Sequence, residues 1–320
     1  MASAASYPGC RRPDRTTGAR TVRVGASPNF PHRAPPLPHL LNRRQLLGMG
    51  ALALAGCSGT GALDAFVPRS TYRAEEDLAY GTDPRQRLDA YLPLDARPAA
   101  PLVVFFYGGA WTRGSRAGYR FVGEALASAG IVTLVADYRL SPQVRWRDIL
   151  QDCSAAVAWA FGNAARLGAA RERIHLVGHS AGAYNAAMLA LDSRWLAQQQ
   201  LQPRQLAGWV GIAGPYNFLP ISDPDSQTAF DWPATPPDSQ PVAHVSAQAP
   251  RTLLLATRDD RVVDPQRNSA TLAQRLQRAG ADVRFELVDH VNHATIVAAL
   301  ASPLRRLAPV RAEVVRFVLA

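Results

Sequence analysis

Ile174-His175-Leu176-Val177-Gly178-His179-Ser180-Ala181-Gly182-Ala183-Tyr184 is the stretch that decides the fold. Its first half is an apolar run without alternation, which suits a strand covered on both faces. Its second half opens a helical period that continues to Leu191. Between them stands Gly178-x-Ser180-x-Gly182. At a strand-to-helix junction that spacing marks a sharp turn: the glycines remove side-chain bulk, and the serine hydroxyl is lifted clear of the sheet. The helix that follows directs its positive dipole end at the serine, which favours a developing anion.

Working outward, further buried strands are expected at Pro101–Tyr107, Ile131–Asp137, Gly208–Ala213 and Thr252–Ala256, because each is a short apolar run, and Val283–Val288 is expected as the next strand. Helical periods lie between them, over Tyr119–Ala129, Ile149–Leu167, Ala183–Leu191 and Gln266–Ala279, with Gly130 and Gly280 as carboxyl-end caps. Thr71–Ala79 and Gln86–Leu92 read as weaker antiparallel strands at the start of the sheet. Strands alternating with helices make parallel crossovers, hence an α/β sheet with helices on both faces. Tyr216–Pro250, rich in Pro, Asp, Ser and Gln, breaks the rhythm and is expected as an irregular insertion over one edge of the sheet.

A serine hydroxyl is a poor nucleophile near neutral pH and needs a base that a carboxylate orients. Downstream of Ser180 the chain offers Asp259-Asp260 after one strand and His290-x-x-His293 after the next, in the order serine, acid, histidine. Asp260 is the preferred acid and Asp259 the alternative. His293 is preferred to His290, since it lies nearer the next helix and a small residue follows it. His179, beside the nucleophile, reads as structural. Tyr107-Gly108-Gly109-Ala110-Trp111 follows a strand and offers backbone N–H groups of Gly108, Gly109 and Ala110 to a carbonyl oxygen, with Ala181 completing the set. Tyr107, Trp111 and Tyr184 stand near these groups as candidate walls of a substrate pocket.

These motifs resemble the α/β-hydrolase superfamily, and within it the carboxylesterases with a His-Gly-Gly-x-Trp oxyanion motif, similar to hormone-sensitive-lipase-like and kynurenine-formamidase-like enzymes. The resemblance runs from Ala79 to the carboxyl terminus and includes Leu88-Asp89-Ala90-Tyr91-Leu92-Pro93, Ala136-Asp137-Tyr138-Arg139-Leu140 and Gly214-Pro215-Tyr216. It implies an α/β-hydrolase fold, a Ser180-His293-Asp260 triad and hydrolysis of a small-molecule ester through an acyl-enzyme, with no cofactor or metal. Two departures stand out: Tyr107 replaces the motif's histidine, whose role is to brace the loop, and Asn217 replaces an aspartate that the group often has. A formamide or amide hydrolase could use the same residues, and a catalytically silent envelope lipoprotein could keep the fold as a binding module.

The 320 residues, 48% hydrophobic and 19% charged, exclude a wholly disordered or multi-span membrane chain. The net charge of +10 is concentrated before Gly56, where eight arginines face one acid, Asp14. No basic stripe with interleaved aromatics occurs, which argues against nucleic-acid binding. Arg43-Arg44, the apolar stretch Leu46–Ala55 and Leu54-Ala55-Gly56-Cys57 together resemble an export signal ending in a bacterial lipobox. That apolar stretch is about half the ~20 residues that a membrane span requires. The expected organisation is a leader and export signal over 1–57 with lipid attachment at Cys57, a tether over 58–70, and a catalytic domain over 71–320 in the cell envelope. Three cysteines occur; with Cys10 removed in the leader and Cys57 acylated, Cys153 has no disulfide partner.

Overall fold

Apolar runs that bury both faces need helices above and below them, and the order in which the chain visits the strands decides where those helices lie. The computed structural model describes residues 63, 66–95 and 98–320; the leader, Cys10, Cys57 and most of the tether lie outside the described residues. The strands are β1 (Tyr72–Ala79), β2 (Arg87–Pro93), β3 (Ala100–Phe106), β4 (Val132–Ala136), β5 (Ala169–His179), β6 (Gly208–Ile212), β7 (Thr252–Thr257) and β8 (Val283–Val288). They form one sheet in the order β1-β2-β4-β3-β5-β6-β7-β8. β1 pairs with β2, and β2 with β4, in antiparallel fashion, and every later pairing is parallel.

From β3 the chain steps to β4 on one side and then crosses back to β5 on the other. With right-handed crossovers, that reversal puts α1 (Arg120–Ala127) and α2 (Trp146–Asn163) on opposite faces. It also opens a crevice outside the carboxyl ends of β3 and β5, the place where such sheets bind ligands. Both the Tyr107–Trp111 loop and Ser180 leave their strands there. β3 lies at the centre of the core, with Leu102 to Phe106 all 0% exposed. The β1 edge carries charged residues and a register shift between Glu75 and Leu78, which blunts it against pairing with another chain.

The expected strands occur with ends displaced by a residue or so, except β5, which starts earlier because Ala169 pairs with Ala100. α2 begins at Trp146 rather than Ile149, since the Asp148 carboxylate reaches back to the Arg145 N–H at 3.0 Å. The helix at the nucleophile, α3 (Ala181–Leu191), likewise begins two residues before the expected start and is followed by the short α4 (Ser193–Ala197). Gly130 and Gly280, both at φ 85°, end their helices in the left-handed conformation.

The insertion contains α5 (Pro224–Ala229) and two short 3₁₀ turns, and it does not cover a sheet edge. β6, from which it departs, is an interior strand, and the insertion reaches the rings of Trp111 and Tyr184 above the sheet's centre. The expected helix over Gln266–Ala279 is a π-helical turn, Gln266–Ala270, running into α6 (Thr271–Arg278). After α7 (Thr295–Ala298), a last helix, α8 (Val310–Leu319), docks on α1, where Arg311 Nε donates to the Ala125 carbonyl at 2.8 Å. Its signal was in the sequence: Val310, Val314, Phe317 and Val318 recur at helical spacing, and all are buried.

Candidate active site

The turn between β5 and α3 is tight because three pieces of backbone meet there. A Cβ on Gly178 would collide with the Gly182 carbonyl, and one on Gly182 would collide with the Phe106 carbonyl at the end of β3. Only glycine fits either position. Squeezed between them, Ser180 adopts φ 54° and ψ −123°, a conformation that costs on the order of 1–3 kcal/mol and persists only where the surroundings enforce it. They do so by hydrogen bonds: the Ser180 N–H donates to the Ile212 carbonyl at 2.9 Å, and its own carbonyl accepts from Ala183 N–H at 2.9 Å and Tyr184 N–H at 3.2 Å.

The serine hydroxyl faces His293, whose Nε2 lies 2.8 Å from Ser180 Oγ, and His293 Nδ1 lies 2.8 Å from Asp260 Oδ2. An ionised carboxylate can only accept, so Nδ1 carries the proton and Nε2 accepts from the serine O–H. The Asp260 side chain is 1% exposed and that of His293 14%. Burial pushes the Asp260 carboxyl upward, but the hydrogen bond and charge of His293 and the backbone N–H groups of Val262 and Val263 outweigh it. The net result lies below the usual carboxylate range. Oδ1 takes those two N–H groups at 2.9 and 2.8 Å, which turns Oδ2 toward the imidazole. Of the paired candidates, Asp260 and His293 meet, while Asp259 and His290 are exposed. The loop bearing His293 is held by Thr257 Oγ1 on the Val291 carbonyl and by Asn292, whose Oδ1 accepts the N–H groups of Ala294 and Thr295, both at 3.0 Å.

The Gly-Gly loop abuts the serine: a Cβ on Gly108 would stand 2.8 Å from Ser180 Cβ. Gly109, Ala110 and Trp111 take φ of 136°, 50° and 60° in succession. The Gly109 carbonyl accepts from Thr112 N–H at 3.0 Å and Arg113 N–H at 3.1 Å. In a trans peptide the N–H points opposite to the carbonyl, so the Ala110 N–H is turned away from the loop's interior. The Ala181 N–H, at the first position of α3, has no intrahelical acceptor. The N–H groups of Ala110 and Ala181 thus belong to two loops that meet at one serine at a helix start, an arrangement suited to a negatively charged oxygen.

Tyr107 departs from its expected place. It is fully buried, stacked between Tyr119 and Tyr138 at 5.4 and 4.8 Å, and points beneath the loop rather than into a pocket. Its hydroxyl donates to Asp137 Oδ1 at 2.8 Å and accepts from Arg85 at 2.8 Å. Asp137 and Asp89 also receive Arg116, at 2.6 and 2.9 Å, so the phrases around Asp89 and Asp137 belong to one buried charged network under the Gly-Gly loop. Long-range pairing of this kind leaves no local pattern, and Arg85 and Arg116 were not singled out in the sequence.

Trp111 and Tyr184 are 2% and 0% exposed. Trp111 Nε1 donates to Asn185 Oδ1 at 3.0 Å, and the Tyr184 hydroxyl to the Ser239 carbonyl at 2.8 Å. With Phe218 and Phe230 of the insertion they form an aromatic wall, their edge-on contacts at 4.7 to 5.8 Å. Of the four rings, only that of Phe218 is partly open to solvent. The turn carrying Phe218 is pinned by Asn268, whose Oδ1 accepts the N–H groups of Tyr216 and Asn217 at 2.7 and 2.8 Å. Asn268 was not foreseen, because its partners lie 52 and 51 residues away in the chain and leave no local pattern.

The sequence profile of the BD-FAE family matches residues 88–276, which include Ser180 and Asp260. The chain belongs to the BD-FAE family. This BD-FAE member is 38% identical over 151 residues to a probable isoprenylcysteine alpha-carbonyl methylesterase of Oryza sativa subsp. japonica, covering 46% of this chain and 36% of that one. It is 30% identical over 268 residues to the esterase LipC of Mycobacterium tuberculosis, covering 74% and 66%. The chain thus spans 36 to 66% of the length of these two curated relatives. Among solved structures, esterase B from Lactobacillus rhamnosis superposes with a TM-score of 0.70 at 20% identity, over 86% of this chain and 95% of that one. At that identity the likeness speaks for the α/β-hydrolase fold.

Two outcomes follow from the packing and the charges. Gly182→Ala drives a methyl group into the Phe106 carbonyl and lowers the free energy of unfolding by about 1–3 kcal/mol, read from urea denaturation. Asp260 has a folded-state pKa below its unfolded one, so it adds stability at neutral pH that is lost as pH falls through the folded value. Between pH 7 and pH 3 the melting temperature of Asp260→Asn, which lacks that titration, falls less steeply than that of the wild type.

Proposed function

We propose that this protein hydrolyses carboxylic esters through an acyl-enzyme on Ser180. The observation that carries this reading is the unbroken line of two 2.8 Å hydrogen bonds from the strained serine through His293 to the buried Asp260. Ser180 Oγ attacks the acyl carbon as its proton passes to His293 Nε2, and the N–H groups of Gly108, Gly109, Ala110 and Ala181 take up the charge on the oxyanion. Collapse of the tetrahedral intermediate breaks the bond to the alkoxy leaving group, which takes the proton from His293. Water then attacks the acyl-enzyme by the same route in reverse and frees the acid. Asp260 stays ionised throughout, orienting the imidazole and stabilising its protonated form. The relatives named methylesterase and esterase favour an ester as substrate. We also propose that the protein is exported and anchored by lipid on Cys57, a reading that rests on Arg43-Arg44 and Leu54-Ala55-Gly56-Cys57.

A fluorophosphonate probe is expected to label the wild type and not Ser180→Ala; a folded wild type that stays unlabelled would leave a binding module. Asp260→Asn is expected to lower kcat on p-nitrophenyl esters about 10⁴-fold. Faster turnover of N-formyl aryl amides than of esters would reassign the same residues to formamide hydrolysis. For the anchor, mass spectrometry of the mature amino terminus is expected to find diacylglycerol on Cys57, and an unmodified cysteine there would overturn it.

A further inference from the structure

His179 is a buried polar residue that the proposed chemistry does not use. It is 5% exposed, and its Nε2 lies 2.9 Å from the main-chain carbonyl oxygen of His293. A carbonyl only accepts, so Nε2 carries the ring proton and donates. Nδ1 is then a lone pair without a hydrogen-bond partner among the described residues; it faces Gly108, on which a Cβ would stand 3.0 Å away. A buried acceptor is unfavourable to leave unmet, so an apolar ring would serve better if filling space were the whole role. Burial, assisted by the neighbouring His293, holds the His179 imidazole down to about 3, and the ring is therefore neutral near pH 7.

The destination of the bond is the telling part. At the start of α7, the carbonyls of Asn292 and Ala294 accept the N–H groups of Ile296 and Ala298. The carbonyl between them, that of His293, is bonded to His179 instead. His179 is also the residue that immediately precedes Ser180. Ser180 Oγ, the His293 ring, the His293 carbonyl and the His179 ring therefore form a closed circuit, completed by a single peptide bond.

We propose that His179 is a positioning residue: its ring N–H ties the main chain of the His293 base to the turn that carries Ser180, and so sets the separation between base and nucleophile. This inference rests on the hydrolase reading above. Misplacing a reacting group by about 1 Å can cost 10²-fold in rate, whereas binding of substrate is made elsewhere and is little affected.

The test compares His179→Phe, which keeps a ring without a donor, with His179→Gln, whose amide nitrogen sits as many bonds from Cβ as Nε2 does. Active sites are titrated with the fluorophosphonate probe, and kcat and KM are measured on a p-nitrophenyl ester. The Phe variant is expected to lose about 10- to 100-fold in kcat per titrated site and in labelling rate, with KM within about twofold. The Gln variant is expected to recover most of the loss. Wild-type kcat in the Phe variant overturns the proposal, as does a Gln variant no better than Phe. Failure of both variants to fold, seen as collapse of the melting transition, makes His179 a packing residue and also overturns it. A wild type that neither labels nor hydrolyses defeats the hydrolase reading itself, which distinguishes that failure from this one.

Discussion

Close approach of the backbone at the carboxyl ends of β3 and β5 is the constraint on which the site depends. The first turn of α3 rests against the Phe106 carbonyl with no space for a side chain at Gly182, and the same crowding excludes one at Gly178. Once those contacts are fixed, the residue between the glycines has nowhere to go except the left-handed region, and its hydroxyl must stand at the mouth of the crevice. The strain at Ser180 is thus a product of sheet and helix packing, and it persists because the whole of the core would have to shift to relieve it.

Around that fixed point the remaining groups are held by bonds from different directions. Asp260 is aimed by two backbone N–H groups, the histidine loop is pinned from Thr257, and the Gly-Gly loop is carried on the buried network of Arg85, Arg116, Asp89 and Asp137. The insertion between β6 and β7 closes the other side with Phe218 and Phe230 against Trp111. Each support comes from a separate part of the chain, so preorganisation of the site is a property of the tertiary structure rather than of any one loop.

Much of this was legible in the sequence, for identifiable reasons. Unalternating apolar runs announced the parallel sheet. The glycine spacing announced the turn at Ser180, because steric limits act within a few residues. The choice of Asp260 over Asp259 and of His293 over His290 was a preference that turn geometry alone could not decide; in the structure the N–H groups of Val262 and Val263 turn Asp260 Oδ2 toward His293, while Asp259 and His290 are exposed. What could not be read were relations between distant residues. Nothing near Tyr107 in the chain says that its hydroxyl meets Arg85 and Asp137, nor that the insertion would lie over the centre of the sheet. The π-helical turn at Gln266–Ala270 was hidden for a related reason: its residues have an ordinary helical period, and the Asn268 within it binds Tyr216 and Asn217 from a distant part of the chain.

The phenol at position 107 has a bearing on the conditions the loop can withstand. An imidazole in that place would change charge close to neutrality, and with it the balance of forces among Arg85, Arg116, Asp89 and Asp137. Tyr107, pushed upward first by burial and then by Asp137, keeps its proton far into the alkaline range. The phenol beneath the glycines therefore keeps one charge state where an imidazole would not, and its two hydrogen bonds, to Asp137 and from Arg85, do not depend on a proton gained or lost near neutrality.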